Sequence, residues 1–246
     1  MMTKATCLLF ALIGAAVYSQ NHAEVKNEGG VDYTTPATCK QYYLNDPQKY
    51  EPGFYYLQPS VGPKFKVYCA VYGYTLLMKV NGSESTFKYS SELWTNSQTF
   101  QPSRFDLDYN ETKLQSFSTV DFTELYLRVV TASVTREIII PVQSTSLLNL
   151  LKDGNYTAVD LGRDPWLNLV PGSFLQDYCN MAGFNVNTPR LKQVRIGIVA
   201  NNEDSCTTAD SWVGVGGGNV ENVSCGSSDT YQMDIVVHSF AYVFAR

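Results

Sequence analysis

Apolar and polar positions along the chain fall into short runs, most of them of strand length. Gly53-Phe-Tyr-Tyr-Leu57, Phe65-Lys-Val-Tyr-Cys69 and Tyr74-Thr-Leu-Leu-Met-Lys-Val80 are β-type segments, and the Pro, Gly and Asn-Gly punctuation around them predicts a meander. Glu124-Leu-Tyr-Leu-Arg-Val-Val130 alternates as a half-buried strand does, whereas Glu137-Ile-Ile-Ile140 loses the alternation as a buried one does. Arg195-Ile-Gly-Ile-Val-Ala200, Ile235-Val-Val237 and Phe240-Ala-Tyr-Val-Phe244 complete the predicted strands. Helices are predicted after a Thr38 cap, ending before Asn45-Asp46-Pro47, and from Ser146 to a Gly154 stop. Cys206 to Thr230 is rich in Gly, Ser, Asn and Asp and reads as one long loop, a length that is usually functional or stapled inside a compact domain.

The first residues change the picture. Lys4 precedes an apolar run from Cys7 to Val17 that is too short to span a bilayer, and small residues follow it, the pattern of an export signal. Cleavage after Ser19 is the preferred site, with a cut a few residues later nearly as good. The expected organisation is a signal peptide at 1–19, a flexible polar lead-in at 20–37 and one domain at 38–246, secreted and without a membrane span. About 220–230 mature residues are ample for one core.

The formal net charge is −5, and removing Lys4 with the signal makes it one unit more negative. No basic cluster is present, which argues against a nucleic-acid partner, since phosphate neutralisation dominates that affinity. Once Cys7 leaves, Cys39, Cys69, Cys179, Cys206 and Cys225 remain, an odd set in an oxidising compartment. Cys39 with Cys69 is the favoured local pair and Cys206 with Cys225 the second. Cys179 is then left as a buried thiol or as the route to a homo-oligomer, and its pairing with either late cysteine stays open. Asn81, Asn110, Asn155 and Asn222 each begin an N-glycosylation sequon and would sit on exposed loops if used.

The motifs Cys39-Lys-Gln, Gly53-Phe-Tyr-Tyr-Leu57, Val67-Tyr-Cys69 and Thr75-Leu-Leu-Met78 resemble, in order, the opening of fibrinogen C-terminal-like domains. Tyr74 stands where that family usually has tryptophan, Ala70 replaces an acidic residue, and a Gly-Gly pair shrinks to Gly73. Arg195-Ile-Gly-Ile, Asn201-Asn-Glu203, Val213-Gly-Val-Gly-Gly-Gly218, Cys225-Gly226 and the aromatic strand ending in Arg246 resemble the intelectins, or X-type lectins. The middle of the chain matches neither well. The resemblance implies an α+β fold: a single fibrinogen C-terminal/intelectin-like domain with a mostly antiparallel sheet, few short helices and long ordered loops.

It also implies calcium, which takes hard oxygen ligands. Asn202 and Glu203 match an Asn-Glu pair that holds the ion in intelectins, and Glu221 is a counterpart of a later acid. The family's histidine beside the glycine run is missing, with Asp210 or Ser211 near its place. Trp212 and Tyr231 are candidates for stacking on a sugar ring, while Tyr242, inside an aromatic strand, is expected in the core.

Other chemistry is poorly supplied. Gly214-Val-Gly-Gly-Gly218 lacks the Lys-Ser/Thr ending of a phosphate-binding loop and is expected to be a turn. The two histidines, His22 in the lead-in and His238 in an apolar run, give a nucleophilic enzyme no evident base. Asp106 and Asp108 read as solvated surface rather than as a glycosidase pair. The function expected is a lectin-like recognition module binding carbohydrate or glycoprotein; the alternative is a structural or adhesive matrix protein that kept the fold without sugar binding.

Overall fold

A computed structural model describes residues 35–132, 134–188, 192–218, 223–229 and 235–246. The expected signal peptide, and the lead-in up to residue 34, lie outside the described residues. The chain from 35 onward is a mixed, strand-rich structure of two antiparallel sheets with a few short helices. Among the described residues no helix is long and apolar enough to cross a membrane.

The N-terminal helix α1 (Cys39–Asn45) starts where the Thr38 hydroxyl accepts from the Gln41 amide at 3.3 Å, satisfying one of the helix's orphan donors. A disulfide joins Cys39 to Cys69 as expected, with the Cα atoms 5.5 Å apart. It ties α1 to the meander of β1 (Gly53–Leu57), β2 (Phe65–Cys69) and β3 (Thr75–Asn81). Then come β4 (Thr112–Lys113), α2 (Ser116–Thr119), β5 (Phe122–Val130), β6 (Thr135–Ser144) and α3 (Leu147–Leu151), the last capped by the Ser146 hydroxyl. Beyond them lie β7 (Thr157–Ala158), α4 (Asp164–Leu169), β8 (Tyr178–Asn187), β9 (Gln193–Asn201), β10 (Ser211–Gly217), β11 (Cys225–Asp229), β12 (Ile235–His238) and β13 (Phe240–Ala245).

The first sheet runs β1-β2-β3-β13-β5-β6, with β4 also on β3, and the second runs β12-β11-β10-β9-β8-β7. The C-terminal strand therefore sits in the middle of the first sheet, wholly buried between β3 and β5. One apolar cluster draws on both sheets and on α2, α3 and α4, with Leu125, Leu127, Val243, Phe184, Ile196 and Val213 among its members.

The first sheet is aromatic. Phe240, Tyr242 and Phe244 alternate along β13 and pack in series with Tyr109, Tyr126 and Tyr74, at centroid distances of 5.1 to 6.4 Å. Tyr242 is 4% exposed, a core residue as expected. It faces Lys79 across the β3–β13 pair, and both hold the 105–109 segment: the Tyr242 hydroxyl donates to the Leu107 carbonyl at 2.8 Å and Lys79 donates to the Asp106 carbonyl at 2.9 Å. Asp106 and Asp108, expected as solvated surface, close on the fully buried Lys79 ammonium. Burial works to raise the Asp108 pKa, but hydrogen bonds from Lys79 and Asn110 outweigh it and hold the carboxyl down at about 2.

The second sheet is built on glycine. Gly183, Gly197, Gly214 and Gly226 stand directly opposite one another across β8, β9, β10 and β11. A Cβ at these positions would lie 2.0, 2.3, 2.2 and 1.8 Å, respectively, from the carbonyl oxygens of Thr157, Val213, Ile196 and Val237 on neighbouring strands. Gly214 (φ 150°) and Gly226 (φ 135°) also have backbone conformations that L side chains rarely adopt. The Gly214–Gly218 run, expected as a turn, is mostly strand β10, and the expected long loop from 206 to 230 contains β10 and β11. Its composition is that of strands that must approach closely.

Candidate functional site

The predicted ligand region lies where β9 ends and β10 begins. β9 delivers a fully buried Asn201, the chain turns through Cys206–Thr208, and β10 resumes at Ser211. A disulfide fixes this turn. It joins Cys179 to Cys206, with Cα atoms 5.2 Å apart, and so overturns the expected Cys206–Cys225 pair. Cys179 sits at φ 67° where β8 bulges between Tyr178 and Met181, and that irregularity puts its side chain within reach of the turn. Among the described residues Cys225 is the free cysteine, fully buried within the core, and burial pushes its thiol up to about 12. Cys179 therefore offers no thiol for the expected homo-oligomer.

The side chains within the turn are tightly tied. Asn201 Nδ2 donates to Glu203 Oε2 at 2.9 Å, to the Ser205 carbonyl at 2.6 Å and to Thr208 Oγ1 at 2.9 Å. Thr208 Oγ1 also donates to Glu203 Oε2 at 3.4 Å. Asn201 Oδ1 has no partner although it is buried. Of the expected ligands, Glu203 is held by Asn201, at the strand end, and Asn202 is half-buried beside it. Next to it, Asp210 donates its backbone N–H to the Ala200 carbonyl at 3.2 Å, and Ser211 Oγ accepts from the Gln176 N–H at 3.0 Å. Both polar atoms of the buried Gln176 side chain are unpartnered.

Charge is crowded here. Burial raises the Asp210 pKa; Lys192 opposes that, while Asp229 and Glu203 add to it. Lys192 and Asp229 are themselves buried, and the Lys192 ammonium reaches Ser228 Oγ at 3.4 Å. The donor chemistry, all oxygen with an excess of carboxylate, suits a hard cation. Among the described residues, however, no three His, Cys, Asp or Glu side chains converge enough to hold one. Glu221, the third expected ligand, lies outside the described residues, as do Tyr231 and Asn222.

Trp212 is not a stacking platform. It is fully buried in a second apolar cluster with Val186, Val194, Val199, Ala209 and Val223. Its ring lies so close to Gly217 that a Cβ there would meet ring atoms at 2.0 to 2.4 Å. The residue faces Val199 and Ser228 across its strand, and its indole N–H has no partner. Of the described sequons, Asn110 and Asn155 are exposed and Asn81 is half-buried, with Asn81 Oδ1 accepting from the Ser83 N–H.

Sequence reasoning missed Asn201, Thr208 and Gln176. The consecutive Asn201-Asn202 at a strand end was the available signal for the first, because the inward residue of such a pair is fixed by the strand's alternation. Nothing in the sequence marks Gln176. These features define a class: a mixed domain of two antiparallel sheets carrying a disulfide-stapled, oxygen-rich turn. The chain matches no protein-family model and no curated protein.

Proposed function

We propose that the chain is a secreted, lectin-like recognition protein of the fibrinogen C-terminal/intelectin type, whose ligand site is the stapled turn from Asn201 to Ser211. The observation that carries this reading is the buried, unpartnered Asn201 carbonyl oxygen beside a carboxylate crowd. A buried acceptor left unpaired is unfavourable by about 1–3 kcal/mol, so such groups mark places where water, an ion or a hydroxyl completes the structure. Glu203 and Asp210 would supply acceptors for sugar hydroxyls, and the Cys179–Cys206 bond would keep them in place before binding. Calcium, if bound, would add a positive anchor for adjacent hydroxyls, with oxygens needed from the 219–222 segment as well as from Asn201 and Glu203. A glycan array read with calcium and with chelator tests the proposal. Binding that chelator or Asn201→Asp weakens supports it, and silence on the array in both conditions overturns it.

A specific observation favours a second reading, an adhesive matrix protein. Phe54 and Tyr56 are 41% and 51% exposed on the edge strand β1, with the Lys66 ammonium 5.4 and 6.0 Å from their ring centroids and Lys64 5.1 Å from Tyr56. Exposed rings beside lysines are a surface for contact with other macromolecules. Retention in insoluble extracellular material, reduced by Phe54→Ser with Tyr56→Ser, supports this reading over the first.

A further inference from the structure

A groove of about 800 Å³ lies away from the stapled turn, between α1, the start of β5, the end of β6 and α3, and it reaches β7. Its size is that of a small-molecule site. Asn155 and Thr157, the acceptor and the hydroxyl residue of one sequon, both line it. We propose that the groove is the seat of the chain's own N-linked glycan, attached at Asn155, whose first sugars pack between α1 and α3 and tie them to the edge of the second sheet. This rests on the reading of the chain as secreted.

The three described sequons differ in a way that selects Asn155. The Asn110 amide donates to Asp108, and Asn81 is half-buried with its side-chain oxygen engaged. The Asn155 side chain is exposed and takes part in no hydrogen bond, while the backbone around it is pinned. Asn185 Nδ2 donates to the Asn155 carbonyl at 3.1 Å, the Tyr156 hydroxyl donates to the Ala182 carbonyl at 2.9 Å, and Thr157 pairs with Phe184. A free acceptor amide on fixed backbone at a groove wall sends an attached sugar along the groove rather than into open solvent.

The groove's chemistry fits an N-acetylhexosamine. Leu44, 58% exposed at the end of α1, and the half-buried Leu150 offer apolar surface for the sugar's C–H face and acetyl methyl. Gln143 and Asn149 offer amides that can both donate to and accept from its hydroxyls and acetamide. The exposed Leu44 is then covered by the chain's own modification.

The test uses the full chain secreted from a glycosylating eukaryotic cell. Glycopeptide mapping gives occupancy, and amide hydrogen exchange is compared between the wild type, Asn155→Gln and, as a control that loses a different glycan, Asn110→Gln. Asn155 is expected to be occupied, and its loss to speed exchange in α1 and α3 roughly tenfold while Asn110→Gln leaves both unchanged. Thr157→Ser, which keeps the sequon, should retain the protection. Occupancy at Asn110 with none at Asn155 overturns the proposal, as does an Asn155 glycan whose removal leaves α1 and α3 unaltered; either result leaves the secreted reading standing. A chain that is retained in the cell and carries no glycan at any sequon sinks both.

Discussion

The first sheet holds its strands together with large side chains: Tyr74, Tyr126, Phe244, Tyr242 and Phe240 form a continuous aromatic series, and neighbouring pairs of this kind are worth about 0.5–1.5 kcal/mol each. The second sheet removes side chains where strands meet, placing Gly183, Gly197, Gly214 and Gly226 in one row. One sheet tolerates trimming because many contacts share the load. The other tolerates no addition, because its neighbours at the glycine row are backbone carbonyls that cannot move aside. The polar turn belongs to the second sheet, so the part of the molecule proposed to bind ligand is also the part with least room for change.

The sharpest way to break this contrast is to swap the two kinds of change. Gly214→Val puts a branched side chain 2.2 Å from the Ile196 carbonyl and should lose more than about 4 kcal/mol, giving an unfolded or insoluble chain. Val129→Ala, in the buried face of β5, should lose about 2–3 kcal/mol and stay folded. Urea midpoints for the two variants decide it; equal losses would mean the glycine row is incidental.

Next in size is the charge pair of the first sheet. Asp108→Ala removes the nearer of the two carboxylates from the buried Lys79 ammonium and should destabilise by about 3–5 kcal/mol, whereas joint replacement by Lys79→Met and Asp108→Ala should recover most of that. Because the folded Asp108 pKa is depressed to about 2, its contribution is complete above the ordinary carboxylate pKa and is lost as pH falls through about 2. Stability measured from pH 5 to pH 2 should therefore fall in the wild type and fall less in the double variant.

The second sheet's staple comes third. Cys179→Ser with Cys206→Ser opens a link between residues 27 apart and should lose about 3 kcal/mol, together with any ligand affinity of the turn. In the native wild type, Cys225 should not react with a thiol reagent, since it is fully buried and its thiol is pushed up to about 12. Prompt labelling of one thiol in the folded protein would contradict the pairing.

What the sequence made legible follows the same division. In the first sheet, β5 and β13 could be read because their apolar residues carry a period, and the Cys39–Cys69 bond and the Thr38 cap were read too; β6 was expected as a buried strand, but it is the sheet's edge, with Ile139 49% exposed and Ile140 buried. The second sheet was read in part: β9 declares itself through Ile196 and Ile198, but β10 and β11 are interrupted by glycine and serine and look like loop. Lys79 inside Thr75–Asn81 resembles a solvated lysine, and its partners lie in a segment whose position no local pattern fixes. Cys179 with Cys206 stayed an open alternative rather than the favoured pair for a related reason, because it depends on a bulge with positive φ. For the site, Glu203 was visible as an acid after a strand, whereas the residue that orients it depended on knowing which of Asn201 and Asn202 points inward.

The smallest effects compare a buried charge in the first sheet with a half-buried one at the foot of the second, and they carry opposite signs. Lys113, in β4, is 1% exposed and held by the Asn96 carbonyl at 2.6 Å and the Phe117 ring at 4.4 Å, with no acid partner among the described residues. Burial lowers its pKa to about 8, below the ordinary lysine value of about 10.4, so the folded state binds its proton less readily than the unfolded chain. Its contribution should improve as pH rises from about 8 to about 10, and Lys113→Met should abolish that slope. Asp210 is the converse case, an acid whose pKa burial and its carboxylate neighbours raise, so its contribution improves as pH falls through the folded pKa. Asp210→Asn should then stabilise the chain at pH 7 by less than about 1 kcal/mol, with the gain fading in acid as the wild-type carboxyl protonates. Thermal melts with added calcium chloride tie this back to the turn: the ion should raise the wild-type midpoint more than that of Asp210→Asn. If Asp210→Asn is instead less stable at pH 7 without calcium, the carboxylate is satisfied within the fold, and the crowding proposed to draw a ligand there is absent.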